Sequence, residues 1–177
     1  MGSKVRLAAP IQSDSIVDGE GIRAVIWFQG CAHNCEGCHN PESHDFNAGE
    51  LVEISEVEKQ IDTLEFQQGV TFSGGDPLYQ PEAAYELAKY CQSKGLNVWL
   101  YTGFLYEDIL KMAKQNSIYL SLLKEIDVLV DGEFVLAKKN FSVAFRGSSN
   151  QRIIDVKESL KKKKTILIEK YKYIEEK

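Results

Sequence analysis

Cys31, Cys35 and Cys38 lie within eight residues in a Cys-x3-Cys-x2-Cys spacing, directly after an apolar run that closes at Gly30. Thiolates at close spacing are ligands for iron–sulfur clusters or zinc. Three of them can hold a four-iron cluster and leave one iron open, where a small molecule could bind and react. Completed by His33, His39 or His44, they could instead hold a structural zinc, or they could simply be reduced thiols. The same spacing would fit one helix face, but Gly30, Asn34, Gly37 and the Asn40-Pro41 pair are poor helix residues. The segment therefore reads as a loop wrapping something small.

The elements that must position this loop follow from periodicity. Ala24 to Phe28 is continuously apolar and reads as a strand buried on both faces, delivering the loop at its C-terminal end. Ser55 and Glu58 suggest a capping box, and Ile54, Val57, Ile61 and Leu64 form an apolar stripe, predicting a helix over about 55–65. A short strand, Val70 to Phe72, opens into Ser73-Gly74-Gly75-Asp76-Pro77. Pro81 then starts a helix with Ala84, Leu87, Ala88 and Cys91 inward, closed at Lys94-Gly95, so Cys91 is expected in the core. Asn97 to Tyr101 is a third strand, followed by Thr102-Gly103 and a helix near 106–115 with Ile109, Met112 and Ala113 inward. Ile126 to Val130 is a fourth, ending in Asp131-Gly132.

Strand, glycine-containing loop and helix in alternation predict a parallel α/β sheet with its chemistry at the strand C-terminal ends. The cysteine loop, the Gly-Gly loop, Thr102-Gly103 and Asp131-Gly132 should then share one edge of a partial, incomplete parallel β/α barrel. The length leaves room for about five to six strand–helix units, short of a full eight. Phe145 to Arg152 reads as a loop leading into a strand at Ile153-Ile154, and Thr165 to Ile174 as either strand or helix.

With 177 residues, 44% of them hydrophobic, one folded domain over residues 1–154 is expected, with a Lys-rich extension over 155–177 packed on or trailing it. The net charge is −5; the extension carries +3, so the remainder carries −8. An acidic body argues against a nucleic-acid surface, and the Lys161 to Lys164 run reads as a solvated helix end or mobile tail, with partner docking as the alternative. No apolar run suits a membrane span and the N-terminus lacks a secretory pattern, so a cytoplasmic protein is expected. Three crowded cysteines do not form a disulfide framework.

The loops together resemble the radical S-adenosylmethionine enzymes, and within them the glycyl-radical activases of anaerobic (class III) ribonucleoside-triphosphate reductase. The resemblance is carried by Asp18 to Arg23 (DGEGIR), Gly30 to Cys38 (GCAHNCEGC), Ser73 to Leu78 (SGGDPL), Asp127 to Gly132 (DVLVDG) and Arg146 to Gln151 (RGSSNQ), in that order. It extends over roughly residues 14–154. It implies a [4Fe–4S] cluster on Cys31, Cys35 and Cys38, with S-adenosyl-L-methionine closing the fourth iron. The implied reaction is one-electron cleavage of the sulfonium to methionine and a 5′-deoxyadenosyl radical, which takes a hydrogen from a glycine of the reductase. The electron would come from a low-potential donor such as flavodoxin or ferredoxin.

Gly74 and Gly75 would let the ligand approach the backbone, and their carbonyl groups would accept from its ammonium. Asp76 would orient that ammonium or cap the next turn. Gly37, Cys38 and His39 are expected near the adenine or the cluster, and Thr102 and Asp131 near the methionyl end or ribose or, equally, in a turn role. Many relatives in the superfamily carry an aromatic residue where Gly37 stands, so adenine stacking from that position is not available. His33 is expected to be a solvated loop residue or a donor to a cluster sulfur. The alternatives are a pyruvate formate-lyase-type activating enzyme, a radical enzyme acting on a small molecule, and a zinc-stabilised binding module.

Overall fold

A computed structural model describes residues 3–172. Three short strands precede the cysteine loop: β1 (Lys4–Leu7), β2 (Gln12–Ser15) and β3 (Arg23–Phe28). After the loop come β4 (Glu50–Glu53), α1 (Ile54–Asp62), β5 (Gly69–Gly74), α2 (Pro81–Ser93) and β6 (Asn97–Tyr101). Then follow α3 (Tyr106–Gln115), α4 (Ile118–Lys124), β7 (Val128–Asp131), β8 (Arg152–Asp155) and α5 (Val156–Lys162).

All eight strands form one mixed sheet in the order β4-β1-β3-β5-β6-β7-β8, with β2 also on β3. β3, β5, β6 and β7 are parallel. They are joined by helical crossovers, because parallel neighbours cannot be linked by a tight turn. The outer strands β1, β2, β4 and β8 pair antiparallel. Where five or six parallel units were expected, four strands are parallel.

Alternation along the strands separates two clusters. Ala24, Ile26, Phe28, Val70, Phe72, Val98, Leu100 and Leu129 pack with Val57, Ile61, Leu87, Cys91, Ile109 and Leu122 of the helices in the main core. Trp99, Val128, Val130 and Ile153 point the other way and meet Tyr101, Phe145, Ile168 and Tyr171. Helices thus cover one face, and loop side chains meet the other.

The expected strands and helices around β3, β5, β6, α2 and α3 are present, with three local differences. Glu53, extended and making no side-chain cap bond, precedes α1, so Ser55 is already helical and the capping box does not form. The cause is β4 running straight into the helix, which makes Ile54 its first residue. Met112 and Ala113 are only partly buried, while Tyr106 and Ile109 carry the inward face of α3. Residues 165–172 form neither strand nor α-helix but one bridge, Leu167 to Ile154, and a 3-10 turn at Glu169–Tyr171; residues 173–174 lie outside the described residues. Lys161 to Lys164 are exposed, as a solvated helix end requires.

Candidate functional site

The chain leaves β3 into a loop whose two ends are tied together. Gly30 N donates to Ser43 O at 2.7 Å and Cys31 N to His44 O at 3.1 Å. The buried Gln29 side chain donates to the carbonyl groups of Glu42 and Asp45 at 3.1 and 2.6 Å. Gly30, Asn34 and Gly37 take φ of +109°, +53° and +76°, so the backbone reverses repeatedly, as a wrapping loop requires and a helix forbids. Cys31, Cys35 and Cys38 are half-buried along it. Burial pushes the Cys31 thiol up to about 11 and the Cys35 thiol upward. His44 Nε2 lies 3.3 Å from Cys38 Sγ. Cys91 is fully buried in the core, its thiol pushed up to about 12 by that burial.

β5 runs beside β3 through Gly74, which pairs with Phe28. A Cβ on Gly74 would stand 2.4 Å from Phe28 O, and one on Gly75 would stand 2.5 Å from Gly30 O and 2.8 Å from Ser43 O. The close approach these glycines permit is to the base of the cysteine loop. Gly75 N donates to Phe28 O at 2.8 Å and Asp76 N to Gly30 O at 2.9 Å.

Asp76 is buried and saturated. Its Oδ1 accepts from Leu78 N at 3.0 Å, the turn-capping role. Its Oδ2 accepts from Thr102 Oγ1 at 2.8 Å and Gly103 N at 2.9 Å, and faces His33 Nε2 at 2.7 Å. His33 is therefore not a solvated residue: its side chain is 9% exposed, its Nδ1 lies 3.1 Å from Glu133 Oε1, and its ring meets Phe104 edge-on at 4.6 Å. The hydrogen bond to Asp76 raises its pKa most, against the lowering effect of burial. The reason is topological: the β3 and β5 loops lie side by side.

Asp131, also buried, accepts from Tyr106 N at 2.8 Å and is gripped by Arg152 through Nε at 2.9 Å and Nη2 at 2.5 Å. Arg152 reaches Glu107 as well, at 3.0 and 2.7 Å. These bonds hold the Glu107 carboxyl down at about 2 and raise the Arg152 pKa.

A cavity of about 580 Å³ opens against the sheet face away from the helices. Trp27, Ser73 and Tyr101 from the strands line it, with Asp18, His39, Phe134, Phe145 and Arg146 from loops. Of the sequence-predicted contacts, His39 lines this cavity. Gly37, Cys38, Gly74, Gly75, Asp76, Thr102 and Asp131 do not; Asp76 and Thr102 meet each other, and Asp131 meets Arg152. Sequence reasoning missed the His33–Asp76 pair, Glu133 and Arg152. Their partners are up to 100 residues apart in the chain, and no local spacing marks them.

The donor set suits a cluster. Cys31, Cys35 and Cys38 offer three soft sulfur donors along one loop, the donor type that iron–sulfur clusters take. Residues 17–154 match the family described as a 4Fe-4S single cluster domain, so the chain is an iron–sulfur protein of that class. Relatives narrow this further. The anaerobic ribonucleoside-triphosphate reductase-activating protein of Haemophilus influenzae is 34% identical over 149 residues, covering 78% of this chain and 90% of the relative. That of Escherichia coli K12 is 36% identical over 146 residues, with coverages of 77% and 90%. The chain belongs to the family of anaerobic ribonucleoside-triphosphate reductase-activating proteins. A pyruvate formate-lyase-activating enzyme of Clostridium pasteurianum is 35% identical over 125 residues, 66% of this chain and 52% of the relative. No helix among the described residues is long and apolar enough to cross a membrane.

Proposed function

We propose that this chain is a radical S-adenosylmethionine activase that generates a glycyl radical on anaerobic ribonucleoside-triphosphate reductase, with Cys31, Cys35 and Cys38 holding a [4Fe–4S] cluster. The observation that carries this reading is the placement of three half-buried thiols at the C-terminal end of β3, on a sheet whose uncovered face holds a ligand-sized cavity. When bound, the cluster and S-adenosylmethionine supply the one-electron cleavage that produces the hydrogen-abstracting radical. The chain's residues hold and shield them. Gly74 and Gly75 let β5 press against the cysteine loop, and Asp76 with Thr102 braces that loop through His33. His39, Trp27, Tyr101 and Arg146 shape the cavity. The four parallel strands are the core of a partial β/α barrel whose open side admits the partner's glycine-bearing segment.

The reductant is a low-potential donor such as flavodoxin or ferredoxin, and the setting is cytoplasmic. Anaerobically reconstituted protein is expected to hold about four irons per chain. With reductant, S-adenosylmethionine and the reductase it should yield a glycyl signal in electron paramagnetic resonance. A parallel incubation with pyruvate formate-lyase tests the activity that the Clostridium relative suggests. Zinc without iron, or no glycyl signal with either enzyme, overturns the reading.

A further inference from the structure

Phe145 takes φ of +57°, a conformation that a bulky residue keeps only where its surroundings over-determine it. Those surroundings are specific. Tyr101 Oη donates to Phe145 O at 2.7 Å. The Phe145 ring stands edge-on to Trp99 at 5.5 Å and to Tyr171 at 5.4 Å. Tyr171 is in turn fastened: its Oη donates to Glu20 Oε2 at 2.7 Å, beside the Lys170 ammonium at 2.9 Å from the same carboxylate, and Ile168 N donates to Ile153 O at 3.0 Å. The residue after Phe145 is Arg146, half-buried and lining the cavity. Among the described residues Arg146 donates to the backbone, Ala144 O at 3.1 Å and Gln151 O at 3.3 Å, and no carboxylate is ion-paired with it. Tyr171 lies beyond the segment shared with the family, which ends at residue 154.

We propose that Tyr171, latched to Glu20, is a positioning residue that clamps the Phe145–Arg146 corner and so holds the Arg146 guanidinium ready for a carboxylate of a ligand in the cavity. The proposal rests on the activase reading of that cavity. Two carboxylates are available under it, the methionyl group of S-adenosylmethionine and an acidic side chain of the reductase.

The test uses full-length, anaerobically reconstituted protein with Y171A, Y171F, E20Q, R146A and the Y171A/R146A pair, measuring kcat and both KM values for glycyl-radical formation, and acrylamide quenching of tryptophan fluorescence. Y171A should raise one KM about tenfold, the loss of one charge-assisted contact, with kcat and iron content unchanged. A rise in the KM for S-adenosylmethionine assigns the methionyl carboxylate, and a rise in that for the reductase assigns the partner's. Y171A should also expose Trp99 to quencher. Y171F, which keeps the ring, should stay near wild type, E20Q should fall between, and the pair should be no worse than R146A. Additive losses in the pair, or a Y171A protein with wild-type KM values and quenching, overturn the proposal. If Y171A does not fold, E20Q with wild-type KM values and quenching overturns it equally. If wild type gives no glycyl signal, the activase reading fails, and the clamp is then judged by Trp99 quenching and S-adenosylmethionine binding, wild-type values of both in Y171A refuting it.

Discussion

Removal of Arg152 is the sharpest test of what Asp131 does. Asp131 is wholly buried, and Arg152 makes two of its three hydrogen bonds. In Arg152→Ala only Tyr106 N remains to offset a desolvated carboxylate. Removing one partner of a buried ion pair costs about 3–5 kcal/mol. The Arg152 side chain is 28% exposed, so water can enter the vacated space, which places the expected cost near the lower limit, about 3 kcal/mol. For a domain of this size that is a fall in Tm of about 6–12 °C. Arg152→Lys restores a point charge without the two-pronged geometry and should recover only part of the loss.

The assay is thermal unfolding followed by circular dichroism on anaerobic samples matched for iron content, because bound cofactor itself raises Tm. A fall below about 3 °C would show that Asp131 does not depend on Arg152. Unchanged stability with weakened S-adenosylmethionine binding would make Asp131 a ligand contact, the role implied by the family resemblance.

Glu107 gives a pH-dependent companion. Arg152 holds its folded pKa at about 2, below the ordinary 4.5, so its stabilisation is full above pH 4.5 and disappears as pH falls toward 2. The side chain is 48% exposed, which limits the contribution to about 0.5–1 kcal/mol after screening. Urea midpoints of wild type and Glu107→Gln should differ at pH 6 and draw together below pH 4.5, converging only as pH falls to about 2; a constant difference refutes the assignment. Gly75→Ala would force a methyl against Gly30 O and Ser43 O and is expected to cost about 1–3 kcal/mol through overpacking, with iron lost from the reconstituted protein on gel filtration; full iron retention would contradict the packing argument. Lys163 closes α5 at φ +56°, and Lys163→Gly should raise Tm by about 1–3 °C, since glycine adopts that conformation without strain. A lowered Tm would count against it.

What was legible in the sequence was what short stretches decide. β6 and α2 begin and end where the apolar pattern and the Pro81 and Gly95 signals place them. The cysteine loop is readable because its glycines, asparagines and thiols are neighbours. β1, β2 and β4 were not legible: Lys4–Leu7, Gln12–Ser15 and Glu50–Glu53 are four residues each, β2 and β4 are mostly exposed or half-exposed, and β1 offers only Val5 and Leu7 as an alternating pair. They are strands because β3 and then β1 offer edges, and such pairing outweighs weak propensity. The Gly-Gly motif was legible as a place of close approach, but not the partner, since Gly30 and Ser43 come near only after β3 and β5 align. For the same reason Asp76 and Asp131 stood out as acidic residues after strands, while the groups that occupy their oxygens did not.

Those occupied oxygens change how the sheet edge works. Asp76 follows β5, His33 follows β3, Thr102 and Gly103 follow β6, and Glu133 follows β7. One hydrogen-bonded chain, Thr102 to Asp76 to His33 to Glu133, therefore ties together the loops of all four parallel strands. The chain is buried at Asp76 and Thr102 and opens to solvent at Glu133, and at its buried end a missing partner leaves the others unsatisfied. The cysteine loop, which has no strand or α-helix and only a 3-10 turn at Pro41–Ser43, is thus held just after Cys31 by His33 and at its base by Gly30, Gly75 and Ser43. A loop braced in this way has little backbone freedom left to lose when its side chains take up a ligand, which is what a pre-organised site requires and a flexible loop cannot provide.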